Sequence, residues 1–283
     1  LGGATDYKNA SIASIERGAA RIVERVAARA KAEGVPTALH ADHVKDLEVI
    51  EIALKRGFTS VMIDGSHLDY KKNISLTRSA VDIARRYGAT VEAELGVLSG
   101  VEEDIMVGKS TYTNPNSVVD FLRRTGADCL ALSYGTSHGL KKGANPKLRQ
   151  EIIVASRENL LHEGLIPLLV SHGSSTVSRG LVNEINERGG ILEGTGGIGV
   201  EVLRSIIGAG MSKINSDTDI RLGVTRYVRS LLEREPGEFD EIRACLAAHP
   251  EEVDFRIYLG NMQGQLVDPG SVPNDVGQAI AQA

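Results

Sequence analysis

The chain contains no tryptophan, and aromatic residues make up only 4% of its 283 residues. Proteins that bind single-stranded nucleic acid usually stack the bases on aromatic side chains, and proteins that bind duplexes usually present a basic face. This chain has a formal net charge of -5 at pH 7 and no run of basic residues. The composition therefore argues against a nucleic-acid partner.

Long hydrophobic segments are also missing, since no apolar run approaches the roughly 18 residues of a membrane span. The first residues, LGGATDYKN, have neither the basic nor the apolar region of a signal peptide. Two cysteines, Cys129 and Cys245, are too few for a disulfide framework. Cys129 lies in an apolar run, where a buried thiol is expected. These absences predict a protein of the reducing cytoplasm without membrane association.

Hydrophobic residues make up 42% of the chain, enough for a substantial core in one domain of this length. Short apolar runs alternate with amphipathic stretches of helical periodicity that end near glycines. This alternation predicts a parallel sheet covered by helices, as an open doubly wound sheet or a (β/α)8 barrel. The predicted strands are residues 37–42, 60–64, 90–95, 129–134, 166–171 and 213–216.

Polar and ionisable residues gather at the C-terminal ends of nearly all these strands, where the active sites of parallel α/β folds lie. His43, His138 and His172 each follow a different strand. A single histidine in such a place is usually a helix cap or a loop hydrogen-bond partner. Three imidazoles that converge on the mouth of a barrel would make a catalytic zinc site with an open position. His40 shares a strand face with Asp42, so a core or supporting role is expected for it.

Three glycine-rich segments suggest ligand binding. The loops 173–175 and 216–218 follow the last two strands, and their small residues would let backbone N–H groups approach a phosphate. Residues 194–199 match the dinucleotide-binding pattern G-x-G-x-x-G and precede a helical stretch. The apolar run before them, Ile-Leu-Glu, is short for a strand, and the pattern explains none of the histidines. A nicotinamide-dependent oxidoreductase therefore remains an alternative function.

Six motifs, HADH, GFTSVMIDGSH, VEAELGVLSGVEED, YGTSHGLKKG, SHGSS and KINSDTDIR, occur in this order from about residue 37 to about residue 240. Together they resemble the class II, zinc-dependent ketose-bisphosphate aldolases, which include fructose- and tagatose-bisphosphate aldolases. The resemblance implies a (β/α)8 barrel. It also implies reversible cleavage of a ketose 1-phosphate or 1,6-bisphosphate to dihydroxyacetone phosphate and an aldehyde such as glyceraldehyde 3-phosphate. A non-catalytic sugar-phosphate binder is a further alternative.

The resemblance also implies the role of each site residue. His43, His138 and His172 would bind zinc, and Glu94 would contact the metal in an alternative position. Asp42 would exchange the proton of the C4 hydroxyl, Glu103 on a closing loop would remove the α-proton, and Asn215 would hold the enediolate. The ketose phosphate and, in some members, the far phosphate would be bound by Gly139, Lys142, Gly173, Ser175, Asp217, Thr218, Lys213 and Arg221.

The implied cofactors are Zn²⁺, replaceable by Co²⁺ or another divalent ion, and a monovalent cation, Na⁺ or K⁺, near the phosphate. The implied assembly is a homodimer or higher homo-oligomer. Two departures from the family are visible. Residues 1–36 contain one helical pattern and no strand, so one or two barrel strands are expected to be missing from this chain. The segment from about residue 240 diverges, which leaves the aldehyde partner open within a single predicted domain of residues 1–283.

Overall fold

The computed structural model describes residues 11–97, 100–102, 105–107, 111–142, 147–166, 168–235, 237 and 239–260. The strands are β1 (His40–Val44), β2 (Ser60–Ile63), β3 (Thr90–Leu95), β4 (Gly100–Glu102), β5 (Ile105–Val107), β6 (Cys129–Leu132), β7 (Leu168–Ser171) and β8 (Met211–Ile214). The helices are α1 (Ile12–Glu33), α2 (Leu47–Arg56), α3 (Tyr70–Arg85), α4 (Val118–Thr125), α5 (Gln150–His162), α6 (Arg179–Glu187), α7 (Val200–Ala209), α8 (Thr218–Arg234), α9 (Asp240–Ala248) and α10 (Phe255–Gly260).

Six of the strands form one parallel sheet in the order β1-β2-β3-β6-β7-β8, and β4 and β5 form a separate antiparallel pair. Each parallel connection contains at least one helix, as parallel pairing requires. The strands follow one another in chain order. An open doubly wound sheet reverses its strand order at a switch point, and the described sheet has no such reversal. The prediction of a parallel α/β sheet is confirmed.

The two faces of the sheet carry different side chains because successive residues of a strand point to opposite sides. Ala93 and Leu95 of β3 face the helices and join a buried apolar cluster with Leu130 of β6 and Leu169 of β7. A second cluster packs β1 and β2 against α1, α2 and α3. Glu92 and Glu94 of β3 point to the other face, and both are buried. One face therefore builds the core and the other presents ionisable groups.

Local sequence signals place the helices that precede and follow these strands. Asp46 and Asp69 accept hydrogen bonds from the first-turn backbone of α2 and α3. Gly57 and Gly126, at φ 107° and φ 72°, end α2 and α4 in the left-handed conformation that suits glycine. Asn114 caps a short 3-10 helix that leads into α4. The ends of α2 and α4 at glycines agree with the helical stretches that the sequence predicts to end near glycines.

The chain divides into two compact units. The first contains residues 1–138, 147–173 and 201–215, and its described part holds all eight strands, α1 to α5 and most of α7. The second contains residues 139–146, 174–200 and 216–283, and its described part holds α6, α8, α9 and α10 around two smaller apolar clusters. Among the described residues, none of the helices combines the length and apolar composition that a membrane crossing needs. The prediction of a single domain remains untested.

Candidate active site

Three histidines from three strands meet in the first unit. His43 lies within β1, His138 follows β6, and His172 follows β7. The ring centroids are 5.5 Å apart for His43 and His138, 4.5 Å for His43 and His172, and 6.2 Å for His138 and His172. One ring nitrogen from each lies within 4.8 Å of those of the other two. This is the donor set of a metal site such as zinc, with two of the three imidazoles buried.

The backbone of β1 is distorted where it presents His43. Its φ angle is 47°, in the left-handed region that costs a residue with a Cβ on the order of 1–3 kcal/mol. The pairing of β1 with β2 is irregular between Ala41 and Val44, which brackets this residue. Strain of this kind persists only where the surrounding structure enforces it, and it concentrates at functional sites. Here it accompanies the placement of a candidate ligand.

Buried carboxylates lie next to the histidines. Glu94 Oε2 is 3.3 Å from His172 Nδ1, and Asp64 Oδ2 is 3.6 Å from His43 Nδ1. Burial raises the pKa of Glu94 above its ordinary value, although His172 opposes the shift. Burial also acts to raise the pKa of Asp64, but hydrogen bonds from His43 and Ser66 outweigh it and hold that pKa well below the usual range. His43, Asp64 and Glu94 form a second group that could hold a metal ion.

Asp42 lies on the same strand as His43, and its side chain is partly exposed. His40 Nε2 is 3.4 Å from Asp42 Oδ1, and Asn215 Nδ2 donates a 3.2 Å hydrogen bond to Asp42 Oδ2. Burial acts to raise the pKa of Asp42, but the hydrogen bond from His40 and the charges of the neighbouring imidazoles hold it well below its usual range. Asp42 is therefore an ionised carboxylate beside the three histidines. The structure brings together these predicted residues, Asp42 and Asn215 included.

Glu92 was not predicted as a site residue, yet it links two groups that were. Its Oε1 lies 2.8 Å from His172 Nε2, and its Oε2 lies 2.7 Å from Lys213 Nζ. Burial acts to raise the pKa of Glu92, but His172 and Lys213 outweigh it and lower that pKa. Burial lowers the pKa of His172, but the two glutamates outweigh it and raise that pKa to about 9. The two-residue spacing of Glu92 and Glu94 on one strand could have revealed this role.

The predicted phosphate loops lie mainly in the second unit. Thr218 N–H donates a 3.1 Å hydrogen bond to Ser175 Oγ. Asp219 accepts 2.7 Å hydrogen bonds from the backbone N–H groups of Thr176 and Val177. These bonds tie the loop after β7 to the start of α8. Gly139, of the same unit, has φ 87°, a conformation that suits glycine. Gly173, which belongs to the first unit, directly follows His172.

Two predicted cationic residues of the second unit differ in their surroundings. Lys142 is buried, and burial lowers its pKa to about 8 although Asp219 and Asp217 oppose the shift. Arg221 donates from Nε to Asp217 Oδ2 at 2.6 Å and from Nη1 to Asp254 Oδ2 at 2.5 Å. Its guanidinium therefore holds two carboxylates in place.

The dinucleotide interpretation of residues 194–199 is wrong. Residues 191–193, which precede the pattern, do not form a strand, so the required strand–loop–helix unit is missing. A Cβ at Gly197 would lie 2.1 Å from the carbonyl oxygen of Thr176. The glycine there is needed because two backbone segments pass close together. The predicted α-proton base, Glu103, lies outside the described residues, between β4 and β5.

Comparison with known proteins identifies the family. Residues 4–265 match the family described as "Fructose-bisphosphate aldolase class-II". The chain belongs to this family. A fructose-bisphosphate aldolase of Thermus caldophilus is 39% identical over 85% of this chain and 80% of its own length. One of Treponema pallidum is 37% identical over 84% of this chain and 74% of its own length.

Solved structures support the fold, and one of them is an aldolase. The YdjI aldolase from Escherichia coli K12 is 26% identical and superposes with a TM-score of 0.55, over 77% of this chain and 66% of that one. A structure of a protein from Coccidioides immitis, 22% identical, covers 95% of this chain and 80% of its own with a TM-score of 0.60 and supports the fold alone. The class II aldolases are metal-dependent carbon–carbon lyases, and the histidine cluster could bind such a metal.

Proposed function

We propose that this chain is a zinc-dependent aldolase that reversibly cleaves a ketose 1,6-bisphosphate of the fructose or tagatose type, or a ketose 1-phosphate. The products would be dihydroxyacetone phosphate and an aldehyde such as glyceraldehyde 3-phosphate. The observation that carries this proposal is the placement of His43, His138 and His172 beside the ionised Asp42. The fructose-bisphosphate aldolase relatives support the choice of substrate.

The donor set fits zinc. Histidine nitrogens are preferred zinc ligands, and three of them leave a position open for substrate. Glu94 Oε2 is buried 3.3 Å from His172 Nδ1, and Glu94 also lies close enough to His43 and Asp64 to share a metal ion with them, so it would serve as the alternative oxygen ligand. When bound, zinc would polarise the substrate carbonyl and stabilise the enediolate without a lysine Schiff base. Co²⁺ accepts the same ligands and is expected to substitute for zinc.

The residues of the first unit divide the proton transfers. In the cleavage direction Asp42 accepts the proton of the C4 hydroxyl, because its low pKa keeps it ionised. Asn215 holds the Asp42 carboxylate through its amide N–H and would hold the enediolate as well. Glu103 is proposed as the group that moves the α-proton on the dihydroxyacetone phosphate carbon. Two separate carboxylates suit two separate transfers.

We further propose that the residues implied by the family resemblance bind the substrate phosphates, with a monovalent cation nearby. Lys142 would attract the phosphate dianion, and Ser175 and Thr218 would donate hydrogen bonds to it. Asp217 would contribute through the loop that Arg221 holds. Gly139 and Gly173 would let the backbone come close to the ligand. Lys213 would reach the far phosphate only after leaving its ion pair with Glu92.

The sequential order of the six strands is the order of a (β/α)8 barrel, and we propose that further strands beside β1 and β8 complete one. Unpaired strand edges are usually covered or paired in folded proteins. A crystal structure of the protein with an open six-stranded sheet would contradict this. By family resemblance the assembly is a homodimer or higher homo-oligomer. Sedimentation equilibrium that gives a monomer would contradict that proposal.

A panel of ketose phosphates tests the proposed reaction. The zinc-loaded protein is incubated with fructose 1,6-bisphosphate, tagatose 1,6-bisphosphate and fructose 1-phosphate, and dihydroxyacetone phosphate is measured through glycerol-phosphate dehydrogenase. We expect release from at least one substrate, loss of release after EDTA, and no inactivation by borohydride. Borohydride trapping of a substrate adduct would indicate a Schiff-base enzyme instead. No release from any substrate would contradict the proposal.

A further inference from the structure

Glu92 is fully buried at the centre of the ionisable face of the sheet. Its register partners are Met62 on β2 and Cys129 on β6, neither of which carries a charge that could balance a carboxylate. A buried carboxylate is unfavourable unless it is paired and hydrogen-bonded. The partners of Glu92 come from elsewhere: His172 binds one oxygen at 2.8 Å and Lys213 binds the other at 2.7 Å. Both oxygens are therefore fixed.

The contact with Glu92 determines which nitrogen of His172 can bind a metal. A neutral imidazole has a proton on one nitrogen only, and an ionised carboxylate can only accept a hydrogen bond. When His172 gives up one proton to bind a metal ion, the proton that remains must therefore lie on Nε2, which faces Glu92. Nδ1, on the side of Glu94 at 3.3 Å, keeps its lone pair for a metal ion. Carboxylates that hold metal-bound histidines in this way commonly change metal affinity 10- to 100-fold when they are lost.

A second metal ion is the main alternative for this carboxylate, since His40, Asp42 and Glu92 are close enough to bind one. The ammonium of Lys213 argues against it, because it already neutralises Glu92 at 2.7 Å. The ammonium of Lys213 therefore takes the place that a second metal ion would need, and it holds Glu92 in position.

We propose that Glu92 is a positioning residue that holds His172 with Nδ1 towards the metal, and that Lys213 fixes Glu92 for this purpose. The inference rests on the proposed zinc site. It adds that metal affinity depends on a carboxylate that does not touch the metal, and that Lys213 acts through Glu92. Three elements, β3, β8 and the loop after β7, then act together on one ligand.

Zinc affinity of the metal-free protein, measured by competition with a chromogenic chelator, tests the proposal. Glu92→Gln should bind zinc 10- to 100-fold more weakly and should change the visible absorption of the Co²⁺-loaded protein. In the double variant Glu92→Gln/Lys213→Met, the amide can turn its oxygen to His172 without facing an ammonium. Part of the lost affinity should therefore return, whereas independent effects would add. Glu151→Gln, at an exposed 2.7 Å pair with Arg149, is the matched control and should stay within twofold of wild type.

Zinc affinity of Glu92→Gln within twofold of wild type, with an unchanged Co²⁺ spectrum, would overturn the inference. Failure of the wild-type protein to bind zinc would instead overturn the proposed function, so the two failures are distinguishable. If Glu92→Gln does not fold by circular dichroism, Lys213→Met alone decides. Lys213→Met should bind zinc more weakly than the wild-type protein, and Lys213→Arg should bind it about as tightly as the wild-type protein. Loss of the positive charge of Lys213 would by itself strengthen the binding of a nearby zinc ion. Unchanged or tighter zinc binding by Lys213→Met would therefore overturn the proposal.

Discussion

Single residues of this site are held by hydrogen bonds that the sequence does not predict. Asp42 was predicted as a proton acceptor, and its hydrogen bond to Asn215 explains how the carboxylate is held. His172 was predicted as a ligand, and Glu92 explains its orientation. The sequence shows which residue types end each strand. It does not show hydrogen-bond partners that lie far apart in the chain, because these depend on strand register.

Replacement of Asp42 by Asn tests its role as a base. The amide keeps the size and can still accept a hydrogen bond from Asn215, but it cannot take a proton. We expect kcat for fructose 1,6-bisphosphate cleavage to fall by about 10²- to 10⁴-fold, with zinc content unchanged. Asp82→Asn, at an exposed position 4.0 Å from Arg85, should keep wild-type kcat. A fall in kcat of less than tenfold for Asp42→Asn would contradict the assignment.

The proposed contact of Lys142 with the substrate phosphate predicts that the reaction depends on pH. Because burial lowers its pKa to about 8, Lys142 is protonated below that pH and neutral above it. If Lys142 binds the substrate phosphate as proposed, its attraction for the phosphate should be present at pH 7 and lost as the pH rises through about 8. We expect KM for the ketose phosphate to increase between pH 7 and pH 9.5.

Lys142→Arg provides the comparison, because a guanidinium stays charged over this whole range. Its KM should change little with pH, whereas the exposed neighbour variant Lys141→Arg should keep the wild-type profile. The same rise in KM for Lys142→Arg as for wild type would contradict the assignment of the effect to Lys142.

At the scale of elements, alternating apolar runs and glycine stops were sufficient to predict all six parallel strands. The boundaries shifted where tertiary pairing decided them. β1 begins at His40 rather than at residue 37, and β8 begins at Met211 rather than at residue 213. Met211 is buried and pairs with Leu169 of β7, so β8 begins earlier in the chain than predicted. The periodicity of a short run cannot show such pairing, since it depends on the neighbouring strand.

Gly173 controls the approach of the two loops that carry His138 and His172. Its φ is 61°, and a Cβ there would lie 2.5 Å from the carbonyl oxygen of Ser137, next to His138. Gly173→Ala should therefore weaken zinc binding and lower the free energy of unfolding by more than the roughly 1–2 kcal/mol of the left-handed conformation. Gly164→Ala is the matched control, because Gly164 has φ 71° with nothing within 4 Å of a Cβ. Urea unfolding with equal losses for the two variants would contradict this account.

At the scale of the whole molecule, three histidines far apart in the sequence are neighbours because a parallel sheet brings its strand ends together. The positions of these histidines after three separate predicted strands suggested this grouping, the family resemblance assigned it to zinc, and the structure shows its geometry. The division into two compact units was not predicted. The composition gives little sign of this division, because each unit is built from three separate segments of the chain. Contacts such as those of Arg229 with the backbone oxygens of Arg188 and Pro250, within the second unit, depend on that folding and not on local pattern.

Zinc should stabilise the folded protein, because a site built from separate strands does not exist in the unfolded chain. At a free zinc concentration of 100 times Kd the gain is about 2.7 kcal/mol, which corresponds to a rise in Tm of roughly 5–10 °C for a chain of this size. Differential scanning calorimetry with and without zinc measures the shift. His138→Ala should lose most of it, and an equal shift in that variant would contradict the assignment of His138.

The most direct test of the three-histidine metal site is a zinc titration of the metal-free protein in which bound zinc and fructose 1,6-bisphosphate cleavage are measured in the same samples. We predict that cleavage rises in proportion to bound zinc, reaches its plateau at one zinc per chain, and is absent in His43→Ala at every ratio. Full cleavage by the metal-free protein, or wild-type zinc binding by His43→Ala, would contradict the proposed site.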